Sequence, residues 1–549
     1  MMELGISDSH DASVALIEDG KVLAAVSEER FTRKKRQQGF PFRALGYIKG
    51  FIPEGTVDKV CVAGKYGRSI FRFLNRSYSA SDPQKNIFSF GSKAAYWQEN
   101  LIASVPILRD IESKMGLWAI KSNLKRTEIK YGSIELADHH HAHIASALRG
   151  PDSKNYVAVS LDAYGDGNSG LIMKVRAKRP LYTKKISYKD SLALFYGYIS
   201  AYLGFTEGEE GKVMALAAYG EGGTLLEIFK GMFSVDKTGL ISSRRYKAGS
   251  FLNTLNAYKK EDVAFALQKT VEDVTVDFIK THLNENEKCD LFLAGGLFAN
   301  IRINQMLNES GLFDRVFVFP NMGDGGTAFA PTGKTKPHRL KDVYLGPEYT
   351  DKYISDTLGA SDLAYTEEDN IEEKIAELLA SGKTIARFSG RMEYGPRALG
   401  NRSILYRTDD ITVNKWLNES LGRAEFMPFA PVTLYEYREK CYMNINGSER
   451  AAKFMTMSFN CTDWMKEKSS GVVHVDGTAR PQILRKEDNP GYYNILKRYH
   501  DITGIPSLIN TSFNMHNEPI VCSPEDAINT FKKSGLEYLA IDRFLAKGY

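Results

Sequence analysis

Tyr156-Val-Ala-Val-Ser-Leu161 leads into Asp162-Ala-Tyr-Gly-Asp-Gly-Asn-Ser-Gly170 and out through Leu171-Ile-Met-Lys-Val175. Two apolar, β-branched runs around an Asp- and Gly-rich segment read as strands joined by a turn. The same succession stands at the start of the chain. Leu4 to Asp8 opens as a strand, Ser7-Asp-Ser-His-Asp11 is a polar loop, and Ser13-Val-Ala-Leu-Ile17 and Val22-Leu-Ala-Ala-Val26 flank the hairpin pair Asp19-Gly20. Twice, then, a strand ends in acidic residues facing another strand.

A repeated strand–acidic loop–strand unit predicts an α/β fold of the actin-like, sugar-kinase-like kind, in which two related halves hold a nucleotide or metal between them. At 549 residues the chain exceeds one ordinary core. No apolar run reaches the ~20 residues of a membrane span, so no membrane partner is expected. The start, Met-Met-Glu-Leu-Gly, lacks the basic and apolar regions of a signal peptide. Five scattered cysteines without a Cys-x-x-Cys pair argue against a disulfide framework or a cysteine zinc site. A cytoplasmic setting is therefore expected.

Asp138-His-His-His-Ala-His143-Ile-Ala-Ser-Ala147 reads as the start of a buried helix. Residues four apart share a helix face, so His139 and His143 can chelate one ion. His140 and His141 point elsewhere and could bond a substrate. A polar helix start without a ligand is the plainer alternative. A pair of imidazoles does not close a metal site, so further ligands are sought at strand ends. Asp162 is one. Asp324, in Val316-Phe-Val-Phe-Pro-Asn-Met-Gly-Asp-Gly-Gly326, is the other. Two His and two Asp suit iron(II), manganese or zinc, and spacing does not choose among them. Glycines before a helix carrying Lys212, and a strand ending in Gly295-Gly296 before Asn300, suggest nucleotide contacts.

Two domains are expected, 1–340 and 351–549, with a linker around Pro331–Thr350. The first carries a basic, mainly helical insertion over 65–130. It holds twelve Lys or Arg against five Asp or Glu, a balance of +7 that exceeds the +5 of the whole chain. Tyr66, Phe71, Phe73, Tyr78, Tyr96 and Trp97 are interleaved with Arg68, Arg72 and Arg76. This suits nucleic acid, or an ordinary helical layer with an aromatic core. In the second domain Ile371–Ala380 reads as a helix and Thr384-Ile-Ala-Arg-Phe388 as a strand. The strand enters Ser389-Gly-Arg-Met-Glu-Tyr-Gly-Pro-Arg-Ala-Leu-Gly-Asn-Arg-Ser403, where Arg391, Arg397 and Arg402 with three glycines predict a polyanion site. Ile505-Pro-Ser-Leu-Ile-Asn-Thr-Ser-Phe-Asn514 ends a strand in groups able to fix a small polar substrate.

At these residues the chain resembles the O-carbamoyltransferase family, whose members include nodulation-factor, cephem and tobramycin carbamoyltransferases. The resemblance rests on Asp8-Ser-His-Asp-Ala-Ser13, Glu28-Glu-Arg-Phe-Thr-Arg33, His139–His143, Gly208–Gly220, Gly390–Ser403, His474-Val-Asp-Gly-Thr-Ala-Arg-Pro-Gln482 and Asn510-Thr-Ser-Phe-Asn514. It covers nearly the whole chain. It implies an actin-like domain similar to the tRNA threonylcarbamoyl-transferring domain, then a YrdC-like domain. The YrdC-like domain would make carbamoyl-adenylate and pyrophosphate from carbamoyl phosphate and ATP, with Mg serving the ATP. A substrate hydroxyl would attack that intermediate in the first domain.

By resemblance His139, His143, Asp162 and Asp324 would bind the metal, iron(II) being preferred. His10 would be the general base, assisted by Asp8. Lys212, Gly295, Gly296 and Asn300 would contact the nucleotide. Arg391, Arg397, Arg402, Arg423, Arg480, Ser512 and Asn514 would hold carbamoyl phosphate and ATP. The family's Lys-x-Arg-Glu-x-aromatic-Arg-Pro-Phe-Ala-Pro stretch reads here Leu421-Gly-Arg-Ala-Glu-Phe-Met-Pro-Phe-Ala-Pro431, so Leu421 and Met427 replace phosphate-gripping Lys and Arg. The family's usual acceptors are small hydroxylated metabolites: aminoglycoside, chito-oligosaccharide, cephem or toxin. The basic insertion adds the hydroxymethyl group of 5-hydroxymethylcytosine in DNA, reached by flipping the base or in single strands. A nucleic-acid binder without transferase activity is the contrasting class, and it leaves the His/Asp set without a purpose.

Overall fold

The computed structural model describes residues 1–66, 105–236, 239–243, 245–247, 249–283, 288–330, 338–422 and 428–548. The chain is α/β and forms two compact units. The first is Met1–Leu23 with Gln37–Leu340, the second Ala24–Arg36 with Lys341–Tyr549.

The first unit is organised on two five-stranded sheets. One contains β1 (Met2–Ser7), β2 (Ser13–Glu18), β3 (Lys21–Ser27, of which Lys21–Leu23 fall in this unit), β4 (Thr56–Ala63) and β5 (Lys130–Ala137), in the order β3-β2-β1-β4-β5. The other contains β6 (Tyr156–Gly165), β7 (Asn168–Arg176) and β8 (Arg179–Ser187). After a small separate hairpin, β9 (Phe233–Asp236) with β10 (Gly239–Ser242), it is completed by β11 (Cys289–Ala294) and β12 (Phe313–Val318), in the order β12-β11-β6-β7-β8. Both sheets thus run third, second, first, fourth, fifth. In both, the first strand is antiparallel to the second and parallel to the fourth. This doubled order is the actin-like arrangement.

Register makes the repeat specific. In the first sheet the last regular pair is Ser7 with Ser13, and Asp8 follows. In the second it is Leu161 with Gly170, and Asp162 follows. Asp8 and Asp162 stand at equivalent places.

The strands hold because they are apolar on both faces. Leu4 and Ile6 of β1 and Val14 to Ile17 of β2 are fully buried. Each of the buried Leu, Ile and Val side chains contributes roughly 1.5–3 kcal/mol. The helix Lys260–Lys280 buries Val263, Leu267, Val271, Val274 and Phe278 on one stripe, at three- and four-residue spacing. In the basic stretch, the helix Pro106–Lys125 buries Glu112, Gly116, Ile120 and Leu124. Residues 67–104, with Arg68, Arg72 and Arg76, lie outside the described residues.

The second unit has one eight-stranded sheet. Its strands are β13 (Tyr365–Glu367), β14 (Ile385–Phe388), β15 (Arg402–Arg407), β16 (Ala430–Leu434), β19 (Gln482–Leu484), β20 (Ser507–Ser512), β21 (Tyr538–Ile541) and β22 (Phe544–Lys547). The order is β13-β22-β21-β14-β15-β20-β16-β19, and β17 (Phe459–Asn460) pairs apart with β18 (Thr478–Ala479). The helices Ile371–Ala380 and Pro490–Thr503 close one core with it through Ile375, Leu379, Ile385, Leu405, Tyr492, Ile495 and Tyr499. The early segment belongs here by its bonds. Ala25 N–H donates to Leu345 O (3.1 Å), the Arg30 guanidinium to Gly395 O (2.8 Å), and Arg33 to Pro519 O (2.6 Å) and Ile520 O (2.7 Å). No helix among the described residues is long and apolar enough to cross a membrane.

Candidate functional site

Asp138 starts the helix His139–Ala147 by accepting the His141 N–H, and small residues toward its end let the helix lie buried. One face presents His139 and His143, whose Nε2 atoms are 3.2 Å apart. Asp162, at the end of the regular pairing of β6, brings Oδ2 to 3.2 Å from His143 Nε2. Asp324 opens the 3-10 turn Asp324–Phe329, and its Oδ1 is 3.5 Å from His143 Nε2 and 3.6 Å from His139 Nε2. All four donor atoms lie within 4.8 Å of one another, and all four residues are buried.

The donor set fits a divalent ion. Burial pushes the His143 imidazole down, but the bonds and charges of Asp162 and Asp324 outweigh it and raise it to about 9. Asp162 is held at about 2 against its own burial, chiefly by His143. Two buried carboxylates facing the imidazole pair make the cavity favourable to positive charge, which a divalent cation would supply. His140, buried beside two imidazoles, is pushed down to about 3 and bonds Ser160 Oγ through Nδ1 (2.9 Å). His141 is exposed and faces Asp138. A second layer orients the carboxylates. Gly296 N–H donates to Asp162 Oδ2 (3.0 Å), Ala163 N–H to Asp162 Oδ1 (2.6 Å), and Ser9 Oγ to Asp324 Oδ2 (2.7 Å).

His10 stands at the rim, its side chain 37% exposed, with Nε2 3.3 Å from Asp324 Oδ2. Its Nδ1 faces Asp11 Oδ2 at 2.9 Å. The sequence signals no role for Asp11, although it stands in the polar loop with His10. It is an aspartate at φ 60°, a left-handed conformation that Asp and Asn tolerate best among side-chain-bearing residues. Asp8 is half-buried.

The residues expected at the nucleotide have local partners. A Cβ at Gly295 would lie 2.2 Å from Leu161 O, so the close approach made there is that of the β6 backbone. Asn300 caps the helix Ile301–Glu309 and bonds Gln268. Lys212 pairs with Glu209 (2.7 Å).

In the second unit, the loop 389–402 is built around a buried carboxylate that sequence reading passed over. Glu393 Oε1 accepts the N–H groups of Leu399 (2.7 Å), Asn401 (2.7 Å) and Arg402 (3.2 Å). Arg402 is fully buried. Its guanidinium donates to Ser389, Gly390, Asn401 and Pro347 carbonyls and lies 3.6 Å over the Phe388 ring. It shapes the loop. Arg391, half-buried, donates to Leu345 O (2.7 Å), and Arg397 and Arg480 are half-buried. Ser512 ends β20, and buried Asn514 donates to Met515 O (2.7 Å). Arg423 lies outside the described residues.

Residues 2–331 match the family described as Carbamoyltransferase N-terminus, and 376–547 match Carbamoyltransferase C-terminus. The chain belongs to the carbamoyltransferase family. It is 31% identical to an uncharacterized protein of Methanocaldococcus jannaschii over 99% of both chains. It is 29% identical to nodulation protein NolNO of Sinorhizobium fredii, over 98% of this chain and 79% of that one. Among solved structures it is similar to component A of (R)-2-hydroxyglutaryl-CoA dehydratase from Acidaminococcus fermentans, at 11% identity and a TM-score of 0.34, over 60% of this chain and 96% of that one. The protein is a carbamoyltransferase enzyme.

Proposed function

We propose that the protein is an ATP-dependent O-carbamoyltransferase that works in two steps. In the first, assigned to a YrdC-like second unit, carbamoyl phosphate and water yield carbamate and inorganic phosphate. A carbamate oxygen then attacks the α-phosphorus of ATP, and pyrophosphate leaves. Arg391, Arg397, Arg480, Ser512 and Asn514 are assigned to the anions, with Arg423, while Arg402 holds the loop in shape. In the second step, assigned to the first unit, the acceptor hydroxyl gives its proton to His10 Nε2. The oxygen attacks the carbamoyl carbon and AMP leaves. Lys212, Gly295, Gly296 and Asn300 remain the assigned nucleotide contacts.

A divalent ion, iron(II) in preference to manganese or zinc, would supply Lewis acidity at the adenylate phosphate. His139, His143, Asp162 and Asp324 would hold it. Asp11 keeps the His10 ring turned with Nε2 toward the reacting side. The closeness of the four donor atoms, with His10 Nε2 3.3 Å from one of the carboxylates, carries this reading.

For the acceptor we assign the hydroxymethyl group of a DNA base, on the +7 balance of 65–130. The described part of that stretch supports it, with Trp118 62% exposed beside exposed Lys114, Lys121 and Lys125.

Purified protein with ATP and carbamoyl phosphate should release pyrophosphate without acceptor, and Arg397→Ala should not. Absence of release from the wild type removes the adenylate step. Radiolabelled carbamoyl phosphate offered with hydroxymethylated DNA and with a panel of aminoglycosides and chito-oligosaccharides then identifies the acceptor. Label on a small molecule alone rules out DNA.

A further inference from the structure

The turn between β6 and β7 is Asp166-Gly167, with φ of 50° and 80°. Such a two-residue turn takes Asn-Gly as readily as Asp-Gly, so the turn does not require a charge. The carboxylate is nevertheless heavily engaged. Asp166 Oδ2 accepts the N–H of His139 at 2.8 Å. Lys65 N–H reaches both oxygens at 2.9 and 3.0 Å, and Tyr66 N–H reaches Oδ1 at 2.9 Å.

His139 is the first residue of its helix, and its N–H is one of the amides that a helix cannot satisfy internally. Asp138 satisfies another, that of His141. Two carboxylates from different elements thus fix the helix start, and both suit its positive end. The hairpin also sets the ring. A Cβ at Gly165 would fall 2.0 Å from His139 Cδ2, so the imidazole rests directly on the strand. Within five residues this hairpin supplies a proposed ligand (Asp162), the floor under a second (Gly165) and a bond to the main chain of that second (Asp166).

We infer that Asp166 is a positioning residue for the metal centre. It sets the rotation at which the helix presents His139 and His143, and it ties the chain at Lys65–Tyr66 to the same point. The inference rests on the metal reading given above, though its contacts can be read without an ion.

The test uses the full chain and Co(II), whose visible bands report coordination. Removing a partner bonded to a ligating side chain typically weakens metal affinity about 10–100-fold. Asp166 acts one step further back, through the main chain of His139, so Asp166→Ala should bind Co(II) about 10-fold more weakly, at the lower end of that range, with altered band intensities. Asp166→Asn keeps one acceptor oxygen and the turn conformation, and should recover most of the affinity. Pyrophosphate release, assigned to the second unit, should be unchanged in both, and an unchanged far-UV circular dichroism spectrum shows that the first unit is folded. Amide exchange of His139, Lys65 and Tyr66 in metal-free protein should all speed up in Asp166→Ala, whereas Asp166→Asn should release only the amide that faces its NH2 group and keep the others slow. Wild-type affinity, bands and exchange in Asp166→Ala overturn the inference. If Co(II) binding is as tight in His143→Ala as in the wild type, the metal reading itself fails. The exchange result then still reports whether Asp166 holds the helix.

Discussion

The two first hairpins of the first unit begin alike and end differently. Asp8 and Asp162 each follow the last regular pair of a first and second strand. After Asp8 the chain opens into a loop that carries His10, whose side chain is 37% exposed. After Asp162 it stays extended, shifts register and closes on the tight Asp166-Gly167 turn, leaving the Asp162 side chain 10% exposed. One frame therefore yields two chemistries. On the proposed reading the open loop would offer a proton acceptor at the rim, and the closed one a buried carboxylate for a cation. Asp324 joins them, meeting Ser9 and His10 on one side and His139 and His143 on the other.

That joint is where the comparison breaks most completely. Asp324→Ala should abolish both roles, with metal content at background and transfer down by ~10³-fold or more, since a Lewis acid is worth several kcal/mol. Metal analysis with acceptor labelling reads this, and stoichiometric metal in the variant would contradict the assignment. His10→Asn should separate the hairpins. Transfer should fall ~10²–10⁴-fold, the usual contribution of a general base, while metal content and pyrophosphate release stay at wild-type levels. Loss of metal along with transfer would make the rim loop part of the binding site.

A smaller effect tests Asp11. Its backbone at φ 60° suits glycine, so Asp11→Gly removes the carboxylate without strain. The kcat should fall about tenfold with KM little changed, matching one hydrogen bond to a charged group at a half-exposed position. Asp11→Asn should recover much of it, and equal loss in both would argue against orientation through an accepted Nδ1–H. The smallest change lies behind the metal helix. Asp138→Ala should cost about 1 kcal/mol of stability as a lost helix cap, seen as a lower urea midpoint, with the metal still bound.

Much of this was legible from local pattern. The spacing of His139 and His143, the Asp-Gly turns and the doubled strand–loop–strand unit are short-range signals. The structure brings Asp162 and Asp324 to that imidazole pair, as the strand-end argument expected. What stayed hidden depends on contacts distant in sequence. Nothing local tells that Arg402 satisfies carbonyls as far away as Pro347, whereas its neighbours Arg391 and Arg397 stay only half-buried. Glu393 looked like one acid in a basic loop, yet three amides of that loop converge on it. Gly295-Gly296 read as space for a ligand, an assignment retained in the proposed function, and the structure adds their protein partners. Gly295 makes room for a neighbouring strand, and Gly296 donates its N–H to Asp162. Sequence shows that an approach is close and leaves open what approaches.

Residues 24–36 carry a consequence for anyone who cuts this chain. They are made early, yet the partners of Ala25, Arg30 and Arg33 are Leu345, Gly395, Pro519 and Ile520. Synthesis must nearly finish before those bonds can form, so this body cannot assemble ahead of its own last third. A clone beginning at residue 341 omits a strip of the very body it means to isolate. Supplying 24–36 as a separate peptide, or fusing it ahead of Lys341, restores the missing donors. Gene halves split at the apparent linker would trade parts rather than divide them.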